Sequence, residues 1–258
     1  MKKSEAFFSH DSFPAVFMPI LQQARLFDSS CSDKAQTLYI EGAHKAYLKI
    51  SKKGSLRREM KMTLFMHEHN LAPAVLEYVS ENGKDYLLTE ALDGEDGIEE
   101  AYIMQPERLA EVFGASLSII HNLPKSDCPL PSRSAEMIAE SESNILRGYV
   151  DNSIITENFD KAVKRFFELK HLATDDVVIH GDYCLPNIIM KDFRLLGFVD
   201  WGTGGIGDRH YDLFWGIWTL QYNLKSDKYR NIFLDAYGRK ELDPERLELC
   251  RLLAGFTL

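Results

Sequence analysis

The chain has 258 residues, of which 45% are hydrophobic and 27% charged, with 39 acidic against 30 basic side chains and a formal charge of −9. That length buries one large core or two smaller ones. The acidic balance excludes a protein whose main partner is a nucleic-acid backbone, which needs a basic face. No stretch approaches the roughly 20 apolar residues that cross a bilayer, so no membrane partner is expected. Cys31, Cys128, Cys184 and Cys250 stand apart with no C-x-x-C pair, which fits a reducing, cytoplasmic setting. The apolar run Phe13–Leu21 follows Met1-Lys2-Lys3, but Glu5, His10 and Asp11 intervene and Pro14 and Pro19 punctuate it, so it does not read as an export signal.

In chain order, Thr37–Glu41 and Ala46–Ile50 are β-rich segments around Gly42-Ala43-His44-Lys45 and predict a hairpin. Gly54-Ser55 opens a helix whose apolar stripe is Leu56, Met60, Leu64 and Leu71, with Pro73 beyond its end. Val75–Ser80 and Asp85–Glu90 flank an Asn82-Gly83 turn signal and predict a second hairpin. Together these make a small α+β lobe over 1–92. The polar break Asp93-Gly94-Glu95-Asp96-Gly97 then opens a larger, mostly helical lobe over 93–258. Helical spacing is carried by Leu109, Val112, Phe113, Ser116, Ile120 and Leu123, and again by Phe159, Val163, Phe166 and Phe167. The polar stretch from Pro124 to Asn158 between them is partly helical. Short strands are expected at Val177–Ile179, Ile188–Met190 and Leu195–Val199. Tyr211, Phe214, Trp215, Trp218 and Tyr222 line a following helix, with Trp215 and Trp218 read as core. Two more helices are expected near Asp227–Tyr237 and Pro244–Leu253.

The chemistry concentrates in His180-Gly181-Asp182-Tyr183-Cys184-Leu185-Pro186-Asn187, followed 13 residues after Asn187 by Asp200 at the end of Gly197-Phe198-Val199. Two strands with a tight connection would bring Asp182, Asn187 and Asp200 to one cleft. Phosphoryl transfer asks for a group that orients the attacking hydroxyl, oxygen ligands for Mg²⁺ and a cation on the phosphates. Asn187 and Asp200 offer the oxygens that Mg²⁺ prefers, and Asp182 the orienting carboxylate.

These motifs resemble the aminoglycoside 3′-phosphotransferase family, whose signature has the form H-G-D-x-x-x-x-N with G-F-[IV]-D downstream. The resemblance implies a two-lobed, protein-kinase-like α+β fold with a β-rich N-lobe containing one main helix, and an ATP- and Mg²⁺-dependent kinase acting on a hydroxylated small molecule such as a cationic aminoglycoside. It makes Asp182 the catalytic base and Asn187 and Asp200 the Mg²⁺ ligands, with His180 supporting the loop. It makes Lys49, in Tyr47-Leu48-Lys49, the phosphate-binding lysine, with Glu59 as its partner and Tyr47 as the aromatic stacked on adenine. Glu90 and Ala91 fall in the connector that offers backbone groups to the base, and Ser32 in the phosphate-covering loop Ser29–Ala35. Asp212, in Tyr211-Asp212-Leu213, would anchor the catalytic loop.

Gly202-Thr203-Gly204-Gly205-Ile206-Gly207 also fits G-x-G-x-x-G, but a dinucleotide site needs a βαβ unit and no second strand is expected here. The glycines read instead as shaping the metal loop, with Asp208 opening the next helix. Cys184 reads as a passive small residue, and neither His180 nor His210 has a zinc or triad pattern.

The resemblance weakens toward the acceptor. Thr203 stands where the family commonly has arginine, Gln221-Tyr222-Asn223 where acids usually follow, and the C-terminus Leu252–Leu258 offers only the Leu258 carboxylate. Asp151, Glu157 and Asp160 remain as an acidic substrate loop. Two alternatives stay open: a kinase of another hydroxylated metabolite, such as an amino alcohol or sugar, and a nucleotide-binding protein that has lost catalysis.

Overall fold

The computed structural model describes residues 4–6, 13–22, 24–31, 34–239 and 242–257, so Ser32 and Leu258 lie outside the described residues. The chain folds into two compact units, neither continuous in sequence. One comprises the described part of Met1–Asp96 with Ile188–Lys191 and Leu196–Gly202, the other Gly97–Asn187, Asp192–Leu195 and Thr203–Leu258.

The first unit is built on an antiparallel sheet of β1 (Ser4–Glu5), β2 (Arg25–Asp28), β3 (Gln36–Glu41), β4 (Lys45–Lys52), β5 (Val75–Glu81) and β6 (Lys84–Glu90), in the order β1-β2-β3-β4-β6-β5. Both expected hairpins are present. β1 and β2 extend the sheet beyond them and were not foreseen, being short and flanked by no turn signal. Along β4 the period of two buries Ala46, Leu48 and Ile50 and leaves Tyr47 and Lys49 on the opposite face. The buried residues meet Leu38, Ile40, Tyr86, Leu88, Phe17 and Leu21 in one core. Asn82 and Gly83 both take positive φ, 50° and 76°, as a two-residue hairpin turn of this kind requires.

A single main helix, α2 (Arg57–Glu68), follows β4; the shorter α1 (Met18–Leu21) precedes β2. Leu56 at the head of α2 has no capping side chain, and its N–H is held instead by Asp85 Oδ2 at 3.1 Å. The helix buries Glu59, Met62, Thr63, Phe65 and Met66, which corrects the expected stripe. Leu64 is 43% exposed, and Leu71 lies past the helix end. Later in the chain, β9 (Ile188–Lys191) joins β7 (Glu95–Asp96) and β10 (Arg194–Phe198) in a three-stranded sheet.

The second unit is helical: α3 (Glu100–Ile103), α4 (Pro106–His121), α5 (Arg133–Leu146), α6 (Phe159–Leu169), α7 (Arg209–Leu224), α8 (Arg230–Tyr237) and α9 (Pro244–Phe256). The helix left unassigned in the polar stretch is α5. A core of Met137, Ile155, Phe166, Leu169, Tyr211, Leu249, Leu253 and Phe256 ties α5, α6, α7 and α9 together. Asn158 caps α6 by accepting from the N–H groups of Asp160 and Lys161. Phe167, which carries the helical spacing with Phe166, is 47% exposed and lies under the Lys170 ammonium. β8 (Val177–Ile179) pairs antiparallel with β11 (Gly205–Gly207). The G-x-G-x-x-G segment therefore does contain a strand, contrary to expectation, but it forms no βαβ unit. A Cβ at Gly205 (φ 151°) would stand 2.9 Å from the Leu130 carbonyl oxygen, so the glycine serves close backbone packing. No helix among the described residues is long and apolar enough to cross a membrane.

Candidate active site

In the second unit, β8 delivers the chain into the loop His180–Asn187, which is fastened from behind. Asp212, fully buried on the first turn of α7, accepts from the His180 N–H at 2.7 Å and the Gly181 N–H at 2.8 Å. His121 Nε2 lies 3.2 Å from the same carboxylate, and His121 Nδ1 2.8 Å from the Tyr237 hydroxyl. Gly181 sits at φ 81°, and a side chain there would run into the Thr203 carbonyl. The Tyr183 hydroxyl donates to the Phe113 carbonyl at 2.7 Å, with the two rings stacked. Farther along, the Leu185 N–H donates to Thr219 Oγ1 at 3.2 Å. Asp182 sits at the head of this held loop. Asn187 Nδ2 donates to both its carboxylate and its carbonyl, each at 2.9 Å, which leaves Asn187 Oδ1 as an acceptor without a partner among the described residues. Burial, then the neighbouring Asp182 carboxylate, push the Cys184 thiol far above its usual range, so it stays neutral.

In the first unit, Lys49 Nζ donates to both carboxylate oxygens of Glu59, at 3.0 and 2.8 Å, and to Asp200 Oδ1 at 2.8 Å. The side chains of Lys49 and Glu59 are 21% and 10% exposed, that of Asp200 49%. Burial opposes the charge on Lys49, but Asp200 and Glu59 together outweigh it and hold the amine above its ordinary range. Burial pushes the Glu59 carboxyl up to about 6 against the pull of Lys49. Asp200 sits at φ 64°, two residues past Phe198, whose N–H donates to the Leu71 carbonyl and whose own carbonyl accepts from Trp201 Nε1. Tyr47 lies with its ring 5.2 Å from that of Tyr39, and burial raises its hydroxyl to about 12. The Glu90 N–H donates to Ala74 and the Ala91 N–H to Lys45, so both amide hydrogens are used within the unit.

The expected acidic residues Asp151, Glu157 and Asp160 lie in the helical unit. Asp151 Oδ1 accepts from the N–H and hydroxyl of Ser153. Glu157 is clamped by Arg251, with Oε1 2.5 Å from Nη2. Burial raises the Glu157 carboxyl, but hydrogen bonds from Arg251 outweigh it and hold it below the usual range. Asp160 is exposed in the first turn of α6. Among the described residues, no group of three or more His, Cys, Asp or Glu gathers to hold a metal.

A second ion cluster in the helical unit was not foreseen. Arg246 reaches Asp208 Oδ1 at 2.9 Å and Asp176 Oδ2 at 3.1 Å; Arg209 pairs with Asp176 at 3.0 Å. His210 Nδ1 lies 2.8 Å from Asp208 Oδ1, while its Nε2 accepts from the Asp243 N–H. Asp176, Asp208 and Arg246 stand more than 30 residues apart in sequence, and no local pattern joins them.

A mixed unit with a strand lysine bound to a helix glutamate, and a helical unit carrying a pinned His-Gly-Asp loop, define a kinase-like phosphotransferase. The comparisons narrow this. Residues 33–250 match the phosphotransferase enzyme family. The chain is 36% identical over 243 residues to a probable aminoglycoside 3′-phosphotransferase of Lactococcus lactis, covering 93% of each. The chain belongs to this family of phosphotransferases. Its fold is similar to the crystal structure of an aminoglycoside-3′-phosphotransferase of type VIII, with TM-score 0.77, 20% identity and 96% of each chain covered. It is also similar to an aminoglycoside phosphotransferase from Streptomyces rimosus in complex with ADP and streptomycin, with TM-score 0.75, 20% identity, and 94% and 98% covered.

Proposed function

We propose that this chain is a cytoplasmic, ATP- and Mg²⁺-dependent aminoglycoside 3′-phosphotransferase. The observation that carries the reading is the Asp182–Asn187 pair. A carboxylate oriented by an amide, at the head of a loop pinned through Asp212 and Thr219, is suited to hold an acceptor hydroxyl in line. Asp182 accepts that hydroxyl's proton, and Lys49, fixed by Glu59, faces the nucleotide phosphates. Tyr47 meets the adenine, and the Glu90–Ala91 segment borders it.

The donors fit Mg²⁺. Asn187 Oδ1 has no protein partner among the described residues and the Asp200 side chain is half-exposed, and both offer the hard oxygens that would suit the ion. An ion held by such donors would supply charge neutralisation for the transferring phosphoryl group. A cage of three protein carboxylates is not required for this.

A second reading, a kinase of another hydroxylated metabolite, is favoured by one observation: Glu157 is already neutralised by Arg251. The two separate in an ADP-release assay run with kanamycin, neomycin, simple sugars and amino alcohols. The first reading expects ADP release that needs both an aminoglycoside and Mg²⁺, with phosphorus NMR placing the ester at a 3′-hydroxyl. Turnover of a sugar or amino alcohol, with none for any aminoglycoside, would replace it with the second.

A further inference from the structure

α7 runs along the catalytic loop. Asp212 on its first turn holds His180 and Gly181, and Thr219 two turns later holds Leu185. The next positions are Tyr222 and Asn223, where the sequence carries no acid. Tyr222 is a neighbour of Thr219 at i+3 and of Trp218 at i+4 on the helix surface. It is 57% exposed, and its ring lies parallel to that of Trp218, with centroids 4.9 Å apart and planes 8° apart. Trp218 is buttressed edge-on by Trp215 at 5.5 Å, so the pair is a backed, rigid shelf.

The Lys225 ammonium lies over the Tyr222 ring, 4.3 Å from its centroid. The ring therefore already holds an ammonium group. The Lys225 chain is exposed and sits just past the end of α7, at φ 53°. Such a long, solvated chain leaves the ring at little cost. Beside it, Asn223 Nδ2 donates to the carbonyl and Oγ1 of Thr219, and its Oδ1 has no partner among the described residues.

We infer that Trp218 and Tyr222 form an aromatic subsite for an ammonium-bearing sugar ring of the acceptor, which displaces Lys225 from the ring of Tyr222. The inference rests on the phosphotransferase reading above and gives its acceptor a recognition element of a different kind. A ring face attracts a cation without a full negative charge, so a cationic acceptor is held where carboxylates are lacking. Trp218 packs against the core of the helical unit, as the sequence places it, and carries Tyr222 on its ring.

The test uses the full chain as wild type, Tyr222→Ala, Tyr222→Phe and Lys225→Met, with kanamycin as the probe. Steady-state turnover and a tryptophan-fluorescence titration are both recorded. Tyr222→Ala is expected to raise KM for kanamycin by about 5- to 30-fold, with kcat and KM for ATP within about twofold of wild type and with Tyr222→Phe restoring the affinity. Lys225→Met, which vacates the ring, is expected to lower KM by about 2- to 5-fold. Wild-type turnover together with an unchanged KM in Tyr222→Ala or in Lys225→Met overturns the subsite and leaves the phosphotransferase reading standing. If wild type phosphorylates no aminoglycoside, that reading fails and the titration decides the subsite alone. A saturable emission change that Tyr222→Ala loses and Tyr222→Phe keeps supports it, and no change on adding kanamycin overturns it.

Discussion

The two units each carry an ion cluster, and the clusters differ in what is left over. In the helical unit, Asp208 is 1% exposed and Arg246 19%, and with Asp176, Arg209 and His210 they satisfy one another. This cluster is closed. It joins α7 and α9 to the segment before β8, and balances two carboxylates with two guanidinium groups. In the mixed unit, Lys49 is held by Glu59, but the cluster ends on Asp200 with its side chain 49% exposed. That cluster is open. Similar chemistry thus stands buried where the charges close on themselves, and reaches solvent where the cluster ends on Asp200.

The largest effects should come from the open cluster and from Asp182. Lys49→Met and Asp182→Asn are each expected to lower activity by about 10²–10⁴-fold, with Tm little changed. Glu59, left alone by the first change, can take up a proton rather than remain a stranded charge. A large loss of Tm in Lys49→Met would show that the open cluster is a tether too.

The closed cluster should behave in the opposite way. Asp208→Ala leaves Arg246 and His210 without their shared carboxylate, at a cost of about 3 kcal/mol. In a chain of this size that lowers Tm by about 6–12 °C, while kcat of the folded protein stays within about threefold. Thermal melts paired with active-site-normalised kinetics separate the two outcomes. A smaller effect sharpens the contrast: Lys49 and Glu59 should couple by about 1–3 kcal/mol in a double-mutant cycle on kcat/KM. Additivity would mean that they do not act as a unit.

The smallest expected effects are in pH, and here the clusters have opposite signs. Burial raises the Asp176 carboxyl, but Arg246 and Arg209 outweigh it, so its folded pKa is depressed. Its contribution to stability is present above the unfolded value near 3.9 and is lost as pH falls through the lower folded value. Glu59, pushed up to about 6, works the other way. Its contribution is fully present below about 4.5 and is lost as pH rises through 6. Urea unfolding should therefore show that Asp176→Asn flattens the loss of stability below about pH 4. Glu59→Gln should remove a fall on the order of 1–2 kcal/mol between about pH 4.5 and 7. Parallel pH profiles for wild type and variants would contradict both assignments.

The parts that were legible in sequence are those in which the signal is local. Asn82-Gly83 fixes its hairpin because both residues reach positive φ, and the 180–187 motif carries a whole loop in eight letters. The face of α2 was misjudged because Glu59 is buried by its bond to Lys49 while Leu64 is left exposed, so polarity misreports burial wherever an ion pair forms. The closed cluster and the Thr219 contact were invisible because their partners meet only after folding. Tyr222 looked like one more member of an apolar stripe, and only its exposure and its stack on Trp218 set it apart. At the acidic loop the reverse holds: Glu157 reads as an unpaired carboxylate until Arg251, 94 positions later, takes it up.

A phosphotransferase with intact chemistry and an acceptor site that uses aromatic faces in place of charges should turn kanamycin over while holding it weakly. Steady-state phosphorylation of kanamycin by the wild-type chain, with ATP and Mg²⁺ saturating, tests this most directly. An ordinary kinase kcat, about 1–100 s⁻¹, is predicted together with a weak KM of about 0.1–1 mM. A sub-micromolar KM, or no phosphorylated product at any kanamycin concentration, would contradict it.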